Sequence, residues 1–242
     1  MKTASIIIIG NEILSGRTKD TNSNYLAKIL IEKGILLQEV RVIPDNHNII
    51  KSVVKGESSL KDYVFTSGGI GPTHDDITAE SVASCFDVPL LVRDDAVELL
   101  AMNYKNGKKD LNAARLRMAR IPEGAELIKN KISGAPGFII KNVFVMAGVP
   151  QIFEAMVQEI SVDLDQIEPI LSKTIKIFKK ESEISERLWQ YANRYKDISI
   201  GSYPFNNSGV FGVEIVLSHT DITLLNKICN EILLDFNEPN TN

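Results

Sequence analysis

Ten consecutive residues of the 242-residue chain concentrate the groups best suited to chemistry: Ser67-Gly68-Gly69-Ile70-Gly71-Pro72-Thr73-His74-Asp75-Asp76. The glycines let backbone amides approach an anion closely, and a helix after the loop would add unpaired N–H groups and a favourable dipole. The loop therefore suits a phosphate. It has neither the Lys-Ser/Thr ending of a P-loop nor the spacing of a dinucleotide fingerprint. The paired carboxylates of Asp75 and Asp76 would repel a bare phosphate. A divalent cation held between them and the phosphate oxygens removes that conflict and can activate water. The structural alternative is a tight turn whose two acids favour a helix N-terminus by about 0.3 to 1 kcal/mol.

A second polar loop follows the first apolar run: Gly10-Asn11-Glu12, then Ser15-Gly16-Arg17 and Asp20-Thr21-Asn22. If the two strands that lead into these loops are neighbours, Glu12 and Asp20 face the acidic end of the glycine loop. They would then supply a further metal ligand or a general base. The competing reading makes Asp20 a helix cap and Glu12 a solvated surface acid. Arg17, His74, Arg115 and Arg117 could each meet a phosphate, but an isolated arginine is usually a surface charge and His74 reads more often as a hydrogen-bonded loop residue than as a ligand. His47 and His219 have no partner signature, and there is no Gly-x-Ser-x-Gly elbow, so a nucleophilic triad has little support. Cys85 and Cys229 lie far apart within helical patterns and read as core thiols, without the spacing of a zinc site. Trp189, near Ile184 and Leu188, reads as core, and residues 201–205 read as a polar-aromatic turn.

These loops need a scaffold. Residues 4–9 are a continuous apolar β-branched run, as in a strand buried on both faces. Helical spacing follows from Thr21 to Gly34, then a strand at 35–43, a Pro44-Asp45-Asn46 turn, a helix at 48–58 and a strand at 63–66. Helices are expected after the glycine loop, at 94–104 and at 111–119, with strands at 137–140 and 143–146. Gly148-Val149-Pro150 opens a further helix. Alternating strands and helices predict a doubly wound α/β layer, whose ligands gather beyond the carboxyl ends of the strands. The acidic stretch 163–169 reads as a linker. Beyond it the order strand, helix, strand, strand, helix predicts a small α+β domain.

Composition sets outer limits. The apolar fraction of 44% and charged fraction of 24% belong to an ordinary folded globule. A net charge of −4 with no basic tract argues against nucleic acid or anionic lipid as a partner. The run at 6–9 is too short for a signal-peptide core or a membrane span, so a cytoplasmic location is expected.

The motifs Gly10-Asn11-Glu12-Ile13-Leu14-Ser15-Gly16-Arg17, Asp20-Thr21-Asn22 and Ser67 to Thr78 closely resemble the amino-terminal domain of competence/damage-inducible protein A. Ala135-Pro136-Gly137-Phe138 and Gly148-Val149-Pro150 continue the match in order, over about residues 1 to 160. This domain belongs to the wider molybdopterin-binding superfamily, which also includes a domain attached to eukaryotic FAD synthase. The resemblance implies a three-layer α/β/α domain over 1–162, followed by the small α+β domain over 170–238. It also implies a pocket at the glycine loop and, in some relatives, metal-dependent hydrolysis of the pyrophosphate of ADP-ribose or FAD. Carried over residue by residue, it places Glu12, Asp20, Gly68, Gly69, Gly71, Thr73, Asp75 and Asp76 around the ligand, with Gly148 and Pro150 closing it.

The expected enzyme is thus a nucleotide pyrophosphatase. Asp75 and Asp76 hold a divalent metal; Glu12, Asp20 and Asp76 are the catalytic candidates; Ser67, Gly68, Gly69, Gly71, Thr73, Gly148 and Pro150 contact the ligand. A pterin carrier that holds molybdopterin without turnover is the alternative, and a regulatory protein with a vestigial site is the third. A homo-oligomer is implied by the resemblance only. The nicotinamide mononucleotide deamidase domain of many relatives has no counterpart in these residues, so that activity is not expected. Met146-Ala147 also stands where many relatives have Leu-Pro.

Overall fold

A computed structural model describes residues 2–162, 164, 168–207 and 209–237. The chain forms two compact units, Met1–Ile167 and Glu168–Asn242. Most of the expected linker, Asp163 and residues 165–167, lies outside the described residues.

The first unit runs β1 (Lys2–Ile9), α1 (Asn11–Leu14), α2 (Asn22–Glu32), β2 (Ile35–Ile43), α3 (His47–Leu60), β3 (Tyr63–Ser67), α4 (Thr78–Cys85) and β4 (Leu90–Val92). It continues with α5 (Asp94–Ala101), a 3-10 turn (Gly107–Asp110), α6 (Ala113–Arg117), β5 (Arg120–Pro122), β6 (Glu126–Ile128), β7 (Gly137–Ile140), β8 (Val143–Met146) and α7 (Pro150–Ser161). Six strands form one sheet in the order β2-β1-β3-β8-β7-β6. The first four are parallel, and β7 and β6 are antiparallel additions. The short strands β4 and β5 pair separately.

Both faces of the sheet are covered, which is why β1 is apolar without interruption. Successive side chains of a strand point to opposite faces. Ala4, Ile6 and Ile8 pack with Phe65 against Leu26 and Leu30 of α2 and Phe153, Met156 and Val157 of α7. Ile7 and Ile9 pack with Val64 against Ile50 and Val54 of α3, Val82 of α4 and Leu100 of α5. Each fully buried aliphatic side chain contributes roughly 1.5 to 3 kcal/mol. The domain is therefore the three-layer α/β/α sandwich that the resemblance implied. Local signals fix the helix starts: the Asn46 side chain accepts from the amides of Asn48 and Ile49, and Pro150 sits in the first turn of α7.

The expected helices at 94–104 and 111–119 are shorter in the structure. Residues 102–104 fold into tight turns after α5, and the Asn112 side chain caps α6 by accepting from the amide of Arg115. Strands β4, β5 and β6, three residues each, were too short to show a period of two in the sequence.

The second unit comprises β9 (Leu171–Ile177), α8 (Glu181–Arg194), β10 (Ser199–Asn207), β11 (Val210–His219) and α9 (Ile222–Asn237). Its antiparallel sheet has the order β10-β11-β9. Ile177, Val213, Ile215 and Leu217 pack against Ile184 of α8 and Leu225, Ile228 and Ile232 of α9. Both cysteines are buried. Two readings are corrected here. Trp189 is 68% exposed, because helical geometry turns it away from the face that buries Ile184. Residues 201–205 lie inside β10, paired with β11, and do not form a turn. Among the described residues no helix is long and apolar enough to cross a membrane.

Candidate active site

The four parallel strands end on one line. Ile8 is level with Ser67 and Ser67 with Met146, while Ile9 is level with Ile43. Backbone bonds carry the alignment one residue further, from Gly10 N to Ile43 O and from Gly68 N to Met146 O. The loops that follow therefore open side by side, and they enclose a cleft of about 540 Å³. That volume is within the usual range for a small-molecule site.

The floor of the cleft is backbone. Gly68 has φ +111, and a Cβ there would run into the carbonyl oxygen of Ile9. A Cβ on Gly148 would lie 3.1 Å from the Cα of Gly68, so the two loops touch through bare backbone. Gly69 accepts from the amide of Thr78 through its carbonyl, which fastens the loop to the start of α4. Among the described residues the amides of Gly69, Ile70 and Gly71 have no protein acceptor. All three residues line the cleft.

Its walls are acidic. Glu12, Asp45, Asp75 and Asp76 all line the cleft, and among the described residues no lysine or arginine does. Glu12 sits on α1 with its carboxylate folded over Gly10, where a Cβ would lie 2.6 Å from Oε2. Asp45 Oδ2 accepts from the amide of Asn11 at 2.9 Å, joining the loops after β1 and β2. Asp76 Oδ2 accepts from the amide of Thr73 at 2.7 Å and from the Thr73 hydroxyl. The adjacent Thr73 hydroxyl, its own amide and the neighbouring His74 hold the Asp75 carboxyl below the ordinary aspartate range.

Of the residues singled out from sequence, Glu12, Gly68, Gly69, Gly71, Asp75, Asp76, Gly148 and Pro150 line this one cleft. Asp20, Ser67 and Thr73 are not among the lining residues. Asp20 caps α2: its Oδ1 accepts from the amides of Asn22 and Ser23 and its Oδ2 from the Ser23 hydroxyl. Ser67 is buried beneath the loop, where its Oγ accepts from Asn22 Nδ2. Thr73 gives its amide to Asp76, and its hydroxyl is shared by the Asp75–Asp76 pair. Sequence reasoning missed Asp45, Asn130 and Ser133 as lining residues. In the sequence Asp45 reads only as part of the Pro44-Asp45-Asn46 turn. Asn130 is held in place by accepting from the amides of Ile132 and Ser133.

Among the described residues there is no group of three or more His, Cys, Asp or Glu side chains placed to hold a metal by themselves. Among those residues the cleft presents no such side-chain cluster. The cleft fits a hard divalent cation bound in the other usual way, through one or two carboxylates and the oxygens of a bound phosphate. Asp75 and Asp76, adjacent to the free amides of the glycine loop, are the residues that would hold it.

Residues 5–169 match the family described as "Probable molybdopterin binding domain". The chain belongs to this molybdopterin-binding domain family. A solved structure of the protein CinA from Thermoplasma acidophilum, of unknown function, is similar to this chain, with a TM-score of 0.63 and 33% identity. The match covers 68% of this chain and 99% of that one. A protein of Archaeoglobus fulgidus is 37% identical over 199 residues, which are 82% of this chain and 84% of its own length. Beyond the molybdopterin-binding domain, residues 169–240 match the family described as "FAD synthase, middle domain". A protein of Caenorhabditis elegans named "Probable FAD synthase" is 32% identical over 89% of this chain, and the match spans 46% of that relative.

Proposed function

We propose that this protein is a metal-dependent nucleotide pyrophosphatase that cleaves ADP-ribose, FAD or a related dinucleotide. One observation carries the reading: three acceptor-free amides and four carboxylates share a cleft with no basic side chain. The amides of Gly69, Ile70 and Gly71 would bind the oxygens of the pyrophosphate and stabilise the charge that grows on them during attack. A bound divalent cation would supply charge neutralisation and polarise the phosphoryl group. Glu12, across the cleft, would orient a water and accept its proton as the water oxygen bonds to phosphorus and the P–O–P bridge breaks. The fragment that leaves takes the bridging oxygen, so ADP-ribose would give AMP and ribose phosphate. The match of residues 169–240 to the FAD synthase middle domain supports a flavin nucleotide among the substrates.

The match of residues 5–169 favours a second reading, in which the same cleft holds molybdopterin without turnover. One experiment separates the two. The full chain is incubated with ADP-ribose and with FAD under several divalent ions, and release of AMP is followed. Absence of AMP under every ion removes the hydrolase reading. Pterin binding that persists in Asp75→Ala, with no hydrolysis in the parent, establishes the carrier.

A further inference from the structure

Behind the glycine loop stand two arginines without an ion-pair partner among the described residues. Arg117 is the last residue of α6 and Arg120 the first of β5. With Ile70, Gly71, Asp76 and Phe138 they line a void of about 10 Å³, room for a single water-sized atom. Ile70, Gly71, Asp76 and Met118 line both this void and the cleft.

Each guanidinium has a buried Nε without a hydrogen-bond partner among the described residues. Arg117 makes one long contact, from Nη2 to the backbone oxygen of Asp76 at 3.4 Å. Neither arginine forms an ion pair among the described residues. Glu80 acts on Arg120 only at a distance, while burial and the charge of Arg117 lower its pKa from the ordinary arginine value. Apart from the exposed Arg17, the other arginines of this unit are engaged. Arg41 pairs with Glu39 and Glu57, and Arg93 with Asp95. Arg115 stacks 4.3 Å over the Tyr104 ring and donates to the backbone oxygen of Asp110. Two neighbouring like charges with unmade hydrogen bonds are costly unless something anionic completes them. Among the described residues Arg120 fastens no elements together and Arg117 does so only through its long contact to the Asp76 backbone, so a purely structural role does not account for the pair.

We propose that Arg117 and Arg120 form an oxyanion site for one phosphoryl group of the ligand. One oxygen of the group enters the void between the guanidiniums, and its remaining oxygens lie in the adjoining cleft, clear of the Asp76 carboxylate that sits over Gly71. The planar guanidinium fork matches a tetrahedral oxyanion. The site gives the otherwise acidic cleft its one electropositive end, which fixes the direction in which a pyrophosphate enters. This rests on the reading of the glycine loop as a phosphate site but needs no turnover.

The test uses the full chain, inorganic phosphate and pyrophosphate as probes, and buffer free of divalent ions. Thermal melting and ³¹P NMR titration compare the parent with Arg117→Gln, Arg120→Gln and, as a control, Arg115→Gln. Phosphate should raise the Tm of the parent and the control. Its Kd should rise by about tenfold or more in each of the other two variants, equivalent to about 1.4 kcal/mol. Without phosphate, Arg120→Gln should melt no lower than the parent, because it removes an uncompensated charge. Arg120→Lys, which keeps the charge and loses the fork, should fold normally and also bind phosphate more weakly. The proposal is overturned if neither probe binds the parent, or if both glutamine variants bind as the parent does. It is also overturned if Arg120→Gln only lowers the ligand-free Tm while phosphate affinity stays in Arg120→Lys. If phosphate binding follows the arginines but AMP is never released, the site stands and the hydrolase reading falls.

Discussion

The Nδ2 of Asn22 donates at once to Ser67 Oγ, at 2.8 Å, and to the carbonyl of Gly148, at 2.9 Å. One buried amide thus joins the start of α2, the end of β3 and the loop before α7. These segments are 45 and 126 residues from it in sequence, and they frame the cleft. Asn22→Ala leaves the Ser67 hydroxyl and the Gly148 carbonyl without this donor. The expected loss of stability is about 1 to 3 kcal/mol, measured by urea unfolding. Nucleotide affinity should fall with it, because the Gly148 loop loses its tether. A variant as stable as the parent, with unchanged affinity, would show that the amide is incidental.

Gly68 and Gly16 both have positive φ, at +111 and +73, but only one is crowded. A Cβ on Gly16 would meet nothing within 4 Å, whereas on Gly68 it would strike the carbonyl of Ile9. Gly16→Ala therefore pays only for the left-handed backbone, about 1 kcal/mol. Gly68→Ala must in addition displace β1 or the loop, and should cost clearly more, on the order of 2 to 3 kcal/mol. It should also abolish phosphate binding, since the loop amides move. Melting curves of the two variants, with and without pyrophosphate, give the comparison; equal losses in both would contradict the crowding.

The sequence exposed the parts of this site that are contiguous and hid those that are not. The β1 and β2 patterns were legible because strands buried on both faces, or long enough to alternate, leave an unambiguous signal. The glycine loop and Glu12 were legible because their chemistry lies within ten residues of a strand end. Asp45 was hidden. Its place beside Glu12 follows from β2 lying next to β1, an order that spacing does not reveal. Asn130 and Ser133 were hidden because β6, a three-residue edge strand, gave no periodicity. Asp20 had two readings, and its bonds to the amides of Asn22 and Ser23 show the capping role in place. Arg117 was among the cations that could meet a phosphate, but its pairing with Arg120 needed side-chain packing to be seen, since a cation without a partner looks like any surface charge in a sequence.

The depressed pKa of Asp75 has a defined consequence for acid stability. Its carboxyl is below the ordinary value of about 3.9 in the folded chain and returns to that value on unfolding. The unfolded state therefore binds more protons over that interval, and stability rises with pH through it. The contribution is complete above the unfolded pKa and disappears as pH falls through the folded one. Asp75→Asn should flatten the acid limb of the stability curve below about pH 4 relative to the parent. Denaturant midpoints measured across this range, with NMR titration of the carboxyl carbon, would expose a parallel pair of curves if the shift were absent.

The charge of the cleft predicts a change of sign between two conditions. Glu12, Asp45, Asp75 and Asp76 together present four acids to a ligand that is itself anionic, with no basic residue lining the same cleft. Without a divalent ion these acids oppose binding; with one, those that touch the ion promote it. Asp45→Asn keeps the shape of the wall and removes one charge. Its amide oxygen can still accept from the amide of Asn11, so the loop is retained. In a metal chelator this variant should bind pyrophosphate several-fold more tightly than the parent. Asp75→Asn should show the same gain in chelator but lose affinity by at least about tenfold when a divalent ion is present, a difference of about 1.4 kcal/mol. Calorimetric titration of pyrophosphate in chelator and in magnesium or manganese reads both effects. Affinity that falls in Asp45→Asn under chelator would mean that the carboxylates help the anion directly, and the need for a cation would disappear with it.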